Sequence, residues 1–130
     1  MDLLLDTEVF LWAISDDTRL GPFSRALITI EASRVLLSHA SLWEITLKQG
    51  LEGAGMPLST AQAMQWCTAS GFDLLPVEPA HLISLAQLPH RHSDPFDRLL
   101  IAQSVCDNLT LLSADPVVQT YACLQLDARR

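Results

Sequence analysis

The sequence has no excess of basic residues, no cysteine pair and no long apolar run, and each absence excludes a class of protein. Asp and Glu number 15 against 8 Lys and Arg, so the formal net charge is −7, the opposite of the basic surface typical of nucleic-acid-binding proteins. The three cysteines form no CxxC pair, which argues against a disulfide framework or a zinc ribbon. No stretch reaches the roughly 18 apolar residues of a membrane span, and the N-terminus lacks the basic segment of a signal peptide. We therefore expect a cytoplasmic protein.

The composition is that of one globular domain. The chain has 130 residues, of which 49% are hydrophobic and 18% are charged, so a sizeable core can be buried. We expect a single domain over residues 1–130. The charged fraction lies below the roughly one quarter typical of globular domains, which fits an apolar surface that a partner or a second copy covers.

Short apolar runs alternate with helical segments along the chain. The runs have the length and composition of strands buried on both faces of a parallel sheet, and they are residues 3–5, 35–37, 74–77 and 110–112. The predicted helices cover residues 7–14, 24–30, 40–49, 60–69, 79–88 and 94–106. Residues 50–57 and 88–93 are predicted to be irregular. Repeated alternation of strand and helix predicts an α/β fold.

Acidic residues follow three of the predicted strands. Asp6 comes directly after the first strand, Asp115 lies just beyond the fourth, and Glu44 lies early in the helix that follows the second. Ligands of open α/β sheets bind beyond the carboxyl ends of the strands. These acids are therefore the first candidates for chemistry.

A further acid, Asp97, lies in the first turn of the predicted helix 94–106. Asp94 stands three residues earlier and can cap this helix, and Pro95 suits its first position. The two carboxylates therefore lie on one side of the helix start. We assign the cap to Asp94 and the chemistry to Asp97.

Converging carboxylates predict a divalent metal site. They repel one another unless protons or cations intervene, and an all-oxygen set suits Mg²⁺ or Mn²⁺. Bound cations reverse the field that a phosphate meets, so the negative net charge does not exclude a nucleic-acid substrate. We expect hydrolysis of a phosphodiester without a covalent intermediate.

Four motifs in order resemble those of PIN domains, and among these the VapC-type toxins of bacterial toxin–antitoxin pairs. The motifs are Leu4-Leu5-Asp6-Thr7, Ser41-Leu42-Trp43-Glu44-Ile45, Asp94-Pro95-Phe96-Asp97-Arg98-Leu99-Leu100-Ile101-Ala102-Gln103 and Leu111-Leu112-Ser113-Ala114-Asp115-Pro116. Each motif alone is weak. Their order over nearly the whole chain is specific.

The resemblance implies both a fold and an activity. The fold would be a three-layer α/β/α arrangement around a central, mostly parallel sheet of four to five short strands. The activity would be that of an Mg²⁺- or Mn²⁺-dependent endoribonuclease, a homodimer held in check by a cognate VapB-type antitoxin. The residues that match the family's acids are Asp6, Glu44, Asp97 and Asp115, while Thr7 and Ser113 match the hydroxyl positions beside them. Glu8 stands where this subgroup commonly has His, so a fifth acid would lie nearby.

Several of these residues also have a purely structural interpretation. Asp6 and Asp115 are also typical of helix caps and turns. Glu44 has Lys48 four residues later, which is the favourable order for an exposed helix pair. We prefer the functional interpretation for all three acids because the four motifs occur together.

The remaining polar and aromatic candidates are less specific. Arg98 belongs to a local basic cluster and is expected either to contact RNA or to pair with Asp94. A metal site that includes His is not expected, because no spacing resembles a zinc signature. Trp43 is expected to pack in the core or between subunits.

Two other functions fit an acidic α/β domain. The first is a non-catalytic interaction module with the PIN fold, which would not need all four acids. The second is a receiver-like regulatory domain or a phosphatase. A phosphatase of this kind needs Asp-x-Asp after its first strand, where this chain has Asp6-Thr7-Glu8, and a receiver needs a Lys after a late strand, where this chain has Ser113-Ala114-Asp115.

Overall fold

The central sheet has five parallel strands, with the first strand in the middle. The computed structural model describes all 130 residues. The strands are β1 (Asp2–Leu5), β2 (Arg34–Ser38), β3 (Asp73–Leu75), β4 (Thr110–Ser113) and β5 (Gln125–Asp127). Their order is β3-β2-β1-β4-β5, and every neighbouring pair is parallel. The chain builds first on one side of β1 and then on the other, so a crevice opens at the carboxyl ends of β1 and β4.

Six α-helices connect these strands. They are α1 (Thr7–Ile14), α2 (Pro22–Ala26), α3 (His39–Gln49), α4 (Thr60–Ala69), α5 (Pro79–Gln87) and α6 (Pro95–Asp107). A π-helical turn, Leu27–Glu31, extends α2, and a 3₁₀ turn, Val118–Thr120, precedes β5. None of the helices is long and apolar enough to cross a bilayer.

The helix ends follow from local chemistry. Ser59 and Gln62 form a reciprocal capping box at the start of α4, which satisfies two backbone N–H groups that the helix leaves free. Asp94 accepts from the N–H groups of Phe96 and Asp97, at 2.8 and 3.2 Å, and so caps α6 as predicted. Asn108 ends α6 in the left-handed region, with φ 55°, a conformation that Asn tolerates better than most residues.

Alternation along β1 builds a core on each face of the sheet. Leu3 and Leu5 pack on one face with residues of α1, α3 and α4, whereas Leu4 packs on the other face with residues of α5 and α6. All three leucines are fully buried. Burial of each contributes roughly 1.5–3 kcal/mol, so this short strand is held from both sides.

The structure confirms the α/β class and the three-layer arrangement. All four predicted strands and all six predicted helices are present, with small differences at their ends. The fifth strand was not located from the sequence. β5 is an edge strand of three half-buried residues, Gln125-Leu126-Asp127, too short to show an alternation of polar and apolar residues.

Candidate active site

All four predicted acids line one cavity of about 780 Å³ at the carboxyl edge of the sheet. Seven carboxylates line it in total: Asp6, Glu8, Asp17, Glu44, Asp94, Asp97 and Asp115. Among them lie two Lys or Arg side chains, Arg19 and Lys48. Such an excess of negative charge in one recess is costly without further cations.

Asp6 enters the cavity directly after the middle strand of the sheet. Its backbone N–H donates to the carbonyl of Leu112 in β4, at 3.1 Å, and its Oδ1 accepts from the N–H of Val9, at 2.7 Å. It is therefore the cap of α1, and the structural interpretation of this residue is confirmed. Burial raises the pKa of Asp6 to about 6, against the hydrogen bonds from Val9 and Ser113 that lower it. The second carboxylate oxygen takes no part in the cap and can serve a ligand.

Glu44 lies beside Asp6, held from two sides. The hydroxyl of Thr7 donates to its Oε1 at 2.6 Å and lies 2.9 Å from the hydroxyl of Ser41. The ammonium of Lys48 donates to its Oε2 at 2.5 Å. The pair predicted for an exposed surface thus exists, but the Glu44 side chain is only 7% exposed, whereas that of Lys48 is 42% exposed.

Asp97 projects into the same recess from the first turn of α6. Burial raises its pKa to about 7, and the negative charges of Asp94 and Asp6 add to this rise. Asp94 is engaged in the helix cap, as the sequence predicted, and leaves Asp97 free of that role. At neutral pH the Asp97 carboxyl is close to its midpoint, as expected for a buried acid among acids.

His92 lies between Asp97 and Asp115 and contacts both. The Nε2 atom of His92 lies 2.9 Å from the Oδ2 atoms of both acids, and the three groups have ligand atoms within 4.8 Å of one another. Burial by itself would lower the pKa of His92, but the hydrogen bond to Asp115 and the charge of Asp97 leave it raised. The Nδ1 atom accepts from the Asp94 N–H at 3.3 Å. Nε2 therefore carries a proton and donates to the two acids.

The segment that carries His92 is anchored by Tyr121. The Tyr121 hydroxyl accepts from the backbone N–H groups of Arg91 and His92, at 2.9 and 3.0 Å, and donates to the carbonyl of Pro89 at 2.9 Å. Arg98 donates to the same carbonyl at 2.8 Å and to the hydroxyl at 3.1 Å. The loop is irregular, as predicted, but its position is set by this cluster of hydrogen bonds.

The structure corrects the expectations for Arg98 and excludes the core position, one of the two expected for Trp43. Arg98 is 8% exposed, and its guanidinium donates to the Pro89 carbonyl. It neither pairs with Asp94 nor lines the cavity. Its charge therefore stabilises structure. Trp43 is 54% exposed and meets the ring of Phe96 edge-on, with centroids 5.0 Å apart, so it is not a core residue.

Sequence reasoning overlooked two side chains of the cavity region. His92 was considered only for a contact with the phosphate backbone, as part of the local basic cluster, and not as a partner of the acids, although it stands two residues before Asp94 in the loop that leads into the third motif. Lys48 was treated as a surface partner of Glu44. Both have a positional signal, since each lies close in sequence to a predicted acid, but only the fold shows that their polar atoms reach the acids.

The donor set fits an oxygen-preferring divalent cation. The acids converge on one recess, where burial and neighbouring negative charges raise the pKa values of Asp6 and Asp97. Carboxylates and hydroxyls without thiolate ligands suit Mg²⁺ or Mn²⁺. Ser113 supports the set, since its side chain lies within hydrogen-bond reach of Asp6 and accepts from the Asp115 N–H at 3.1 Å.

A second group of potential metal ligands, His81, Cys106 and Asp107, lies away from this cavity. The Nδ1 of His81 accepts from the N–H of Glu78 at 2.9 Å, so its proton resides on Nε2 and is donated to Asp107 at 2.8 Å. A metal could bind Nε2 only by displacing this proton and the hydrogen bond to Asp107. The polar atoms of His81 are thus already engaged in hydrogen bonds within the chain.

Comparisons with known proteins agree with this architecture. A family model described as PIN domain matches residues 3–122. No curated protein sequence matches the chain. Among solved structures, VapBC2 from Rickettsia felis bound to a promoter DNA fragment superposes with a TM-score of 0.69 at 13% identity, covering 98% of both chains. VapBC from Salmonella typhimurium bound to DNA gives 0.69 at 16% identity, again over 98% of both chains. VapBC-1 from nontypeable Haemophilus influenzae gives 0.67 at 11% identity over the full length of both. At these identities the likeness shows a shared fold.

Proposed function

The chain belongs to the PIN domain family, and on that premise we propose that it is a metal-dependent endoribonuclease, the toxin component of a bacterial type II toxin–antitoxin pair. The observation that carries this proposal is the convergence of Asp6, Glu44, Asp97 and Asp115 on one cavity. A protein gains no stability from buried carboxylates that repel one another. Their presence is therefore best explained by a cation that they bind.

The four acids would hold Mg²⁺ or Mn²⁺, and these cations supply polarisation of the phosphodiester and activation of the attacking water. The chain itself orients the ligands. Thr7 donates to one oxygen of Glu44 and Lys48 to the other, the cap of α1 fixes one oxygen of Asp6, and both acids line the cavity. A preset arrangement of this kind reduces the cost of ordering ligands when the cation arrives.

His92 is a positioning residue in this proposal. It bridges Asp97, on α6, and Asp115, after β4. These two acids lie on different elements, and His92 links them by hydrogen bonds. Its proton bound between Asp97 and Asp115 reduces their repulsion before the cation binds. Partners of ligands commonly contribute 10- to 100-fold to metal affinity or activity.

The substrate class follows from the recess. The acids lie in a cavity at the sheet edge, and a single-stranded or looped RNA can bring its backbone into such a recess more easily than a duplex can. Glu8 also lines the cavity and is exposed, so this chain places an extra negative charge at the rim.

A VapB-type antitoxin and a second copy of the chain are the proposed partners. The similar solved structures are VapBC proteins, and this chain leaves apolar side chains uncovered. Trp43 and Leu47 lie one turn apart on α3 and are 54% and 46% exposed. An exposed apolar face of this kind is typical of an interface. We therefore keep, as a proposal, the position between subunits that was expected for Trp43.

Metal-dependent RNA cleavage tests the nuclease proposal. The purified protein is incubated with single-stranded RNA in Mg²⁺, in Mn²⁺ and in EDTA, alongside Asp6→Asn, which keeps a capping side chain, and Asp73→Asn as a control on the exposed start of β3. We expect cleavage in either metal by the wild type and the control, and none in EDTA or with Asp6→Asn. Cleavage that survives both chelation and Asp6→Asn would refute the mechanism.

A non-catalytic interaction module remains the second candidate. Wild-type protein that folds and binds Mg²⁺ but never cleaves RNA would favour it. Co-expression of the product of a neighbouring small reading frame tests the toxin assignment. A stable complex with relief of toxicity is expected, and a harmless chain without a partner would contradict the toxin role.

A further inference from the structure

Lys48 is the only lysine in the chain, and it lies in the acidic cavity. Its position follows from α3, because Glu44 and Lys48 are one turn apart and lie on the same side of the helix. The ammonium donates to Oε2 of Glu44 at 2.5 Å. Its negatively charged neighbours also include Asp94 and Asp97.

Two of the three N–H donors of this ammonium have no protein partner. Lysine carries three donors, and Lys48 makes one side-chain hydrogen bond, to Glu44. The Lys48 side chain is 42% exposed, whereas that of Glu44 is 7% exposed. The free donors can therefore meet a ligand in the cavity while the third keeps the contact with Glu44.

The two arginines nearest the acids already have partners in the chain. Arg19 forms a two-point pair with Asp17, at 2.7 and 3.1 Å, and its guanidinium lies 5.1 Å from the centre of the Trp12 ring. Arg98 is buried beneath the Pro89 loop. Arg19 also keeps free N–H donors, but its charge is paired with Asp17, which is not one of the four acids. Lys48 is thus the one Lys or Arg side chain of the cavity that contacts one of the four acids.

We propose that Lys48 is a substrate-binding residue whose ammonium holds a phosphate oxygen of the RNA beside the acids. The inference rests on the proposed nuclease function and deepens it by assigning the contact to the phosphate backbone. A polyanion that enters a recess lined by seven carboxylates needs fixed positive charge beside the bound cations. A compact ammonium supplies it as a point charge that does not depend on base identity.

RNA binding is measured without cleavage in the Asp97→Asn background. The variants are Lys48→Met, which keeps the length but not the charge, and Lys48→Arg, which keeps the charge. Arg34→Met is the matched control, because Arg34 pairs with Asp2 at the opposite edge of the sheet, at 3.1 Å. The probe is a fluorescein-labelled, 12-nucleotide single-stranded RNA of mixed sequence in Mg²⁺, followed by anisotropy over a range of salt concentrations.

Loss of one phosphate contact has a characteristic signature. We expect Lys48→Met to weaken binding about 10- to 100-fold, the range of a lost charge-assisted hydrogen bond, and to lower the slope of log K against log salt by about 0.7. Lys48→Arg should restore most of both. Equal affinities and slopes for Lys48→Met and Arg34→Met would overturn the proposal, because only overall charge would then matter.

A single lysine also allows a direct spectroscopic test. Lysine labelled with ¹⁵N in its side chain gives one ammonium signal, and we expect this signal to shift when the RNA is added in Mg²⁺. A signal that moves with Mg²⁺ but not with RNA would overturn the contact even if Lys48→Met were unstable. If the wild type binds RNA through Lys48 and does not cleave it in either metal, the nuclease proposal falls and the binding contact stands.

Discussion

Two groups of buried polar side chains begin at the carboxyl ends of neighbouring strands, and they differ in charge. At the end of β2, Ser38 donates to Oε1 of Gln103 at 2.5 Å, and Gln103 donates to the Pro76 carbonyl at 3.2 Å. His81 completes this network by linking to Asp107. We call these residues the neutral network. At the end of β1, the acid cluster of Asp6, Glu44, Asp97 and Asp115 gathers carboxylates instead.

The two groups differ in whether the chain itself supplies partners for their buried polar atoms. In the neutral network each donor meets an acceptor, and its one carboxylate, Asp107, reaches solvent with 37% of its side chain exposed. In the acid cluster, burial raises the pKa of Asp6 to about 6 and that of Asp97 to about 7. The polar groups of the neutral network find their partners within the chain, whereas the acid cluster keeps uncompensated negative charge, which fits the cation that we propose.

The largest expected effect is that of Asp97→Asn, which should change activity and stability in opposite directions. Asp97→Asn should lower RNA cleavage more than about 100-fold, since even the partners of metal ligands contribute 10- to 100-fold. The same change should raise the melting temperature of the metal-free protein at pH 8, because it removes a buried, repelled charge. Calorimetry in EDTA and a cleavage assay in Mg²⁺ measure the two effects. A variant that is both inactive and less stable would break the contrast with the neutral network.

The next effect concerns the bridge between two ligands. His92→Leu should weaken Mn²⁺ binding about 10- to 100-fold, because Asp97 and Asp115 lose the group that holds them together. His92→Gln, whose amide N–H reaches a similar point, should recover part of the loss. Isothermal titration with Mn²⁺ gives the affinities. Unchanged affinity in His92→Leu would show that the two acids keep their places without the bridge.

A change in the neutral network should act on stability alone. Gln103→Leu leaves the O–H of Ser38 without its acceptor and the Pro76 carbonyl without its donor, while the Ser38 oxygen still accepts from the Ala40 N–H. We therefore expect a loss of about 1–3 kcal/mol in the free energy of unfolding. The kcat of the folded fraction should stay within about twofold of wild type. Urea denaturation and steady-state kinetics test this. A large fall in kcat would mean that the two groups are coupled across α6.

The smallest effect is the dependence of stability on pH. The folded protein holds protons on Asp6 and Asp97 at pH values where the unfolded chain, with an ordinary pKa near 3.8, has released them. This stabilisation is complete below pH 3.8 and is lost as the pH rises through 6 and 7. The raised pKa of His92 acts in the same direction.

The metal-free protein should therefore melt several degrees lower at pH 8 than at pH 5.5. Added Mg²⁺ should stabilise it more at pH 8, where it does not compete with protons. Asp6→Asn should reduce the difference between the two pH values. A melting temperature that rises from pH 5.5 to pH 8 in EDTA would contradict the raised pKa values.

Most of the fold could be predicted from local patterns. The leucine runs of β1, β2 and β4 have the composition of buried parallel strands, and Ser59, Asp94 and Asn108 mark helix ends by their own side-chain chemistry. The edge strand β5 could not, because three half-buried residues carry no periodicity and depend on pairing with β4. The positions of Asp6, Asp97 and Asp115 could be predicted for the same local reason, since each lies just beyond a strand or in the first turn of a helix. Glu44 lies in the middle of α3, and only the order of the four motifs assigned it to the site.

What the sequence by itself determined is the set of acids and their order, because strand ends and helix starts are encoded by neighbouring residues. Tertiary structure alone decided how those acids are surrounded. The burial that raises the pKa of Asp6 and Asp97, the placement of His92 between Asp97 and Asp115, and the commitment of Arg98 to the Pro89 loop all depend on elements far apart in the chain. Desolvation and Coulomb interactions depend on distance in space, and separation along the sequence does not specify that distance.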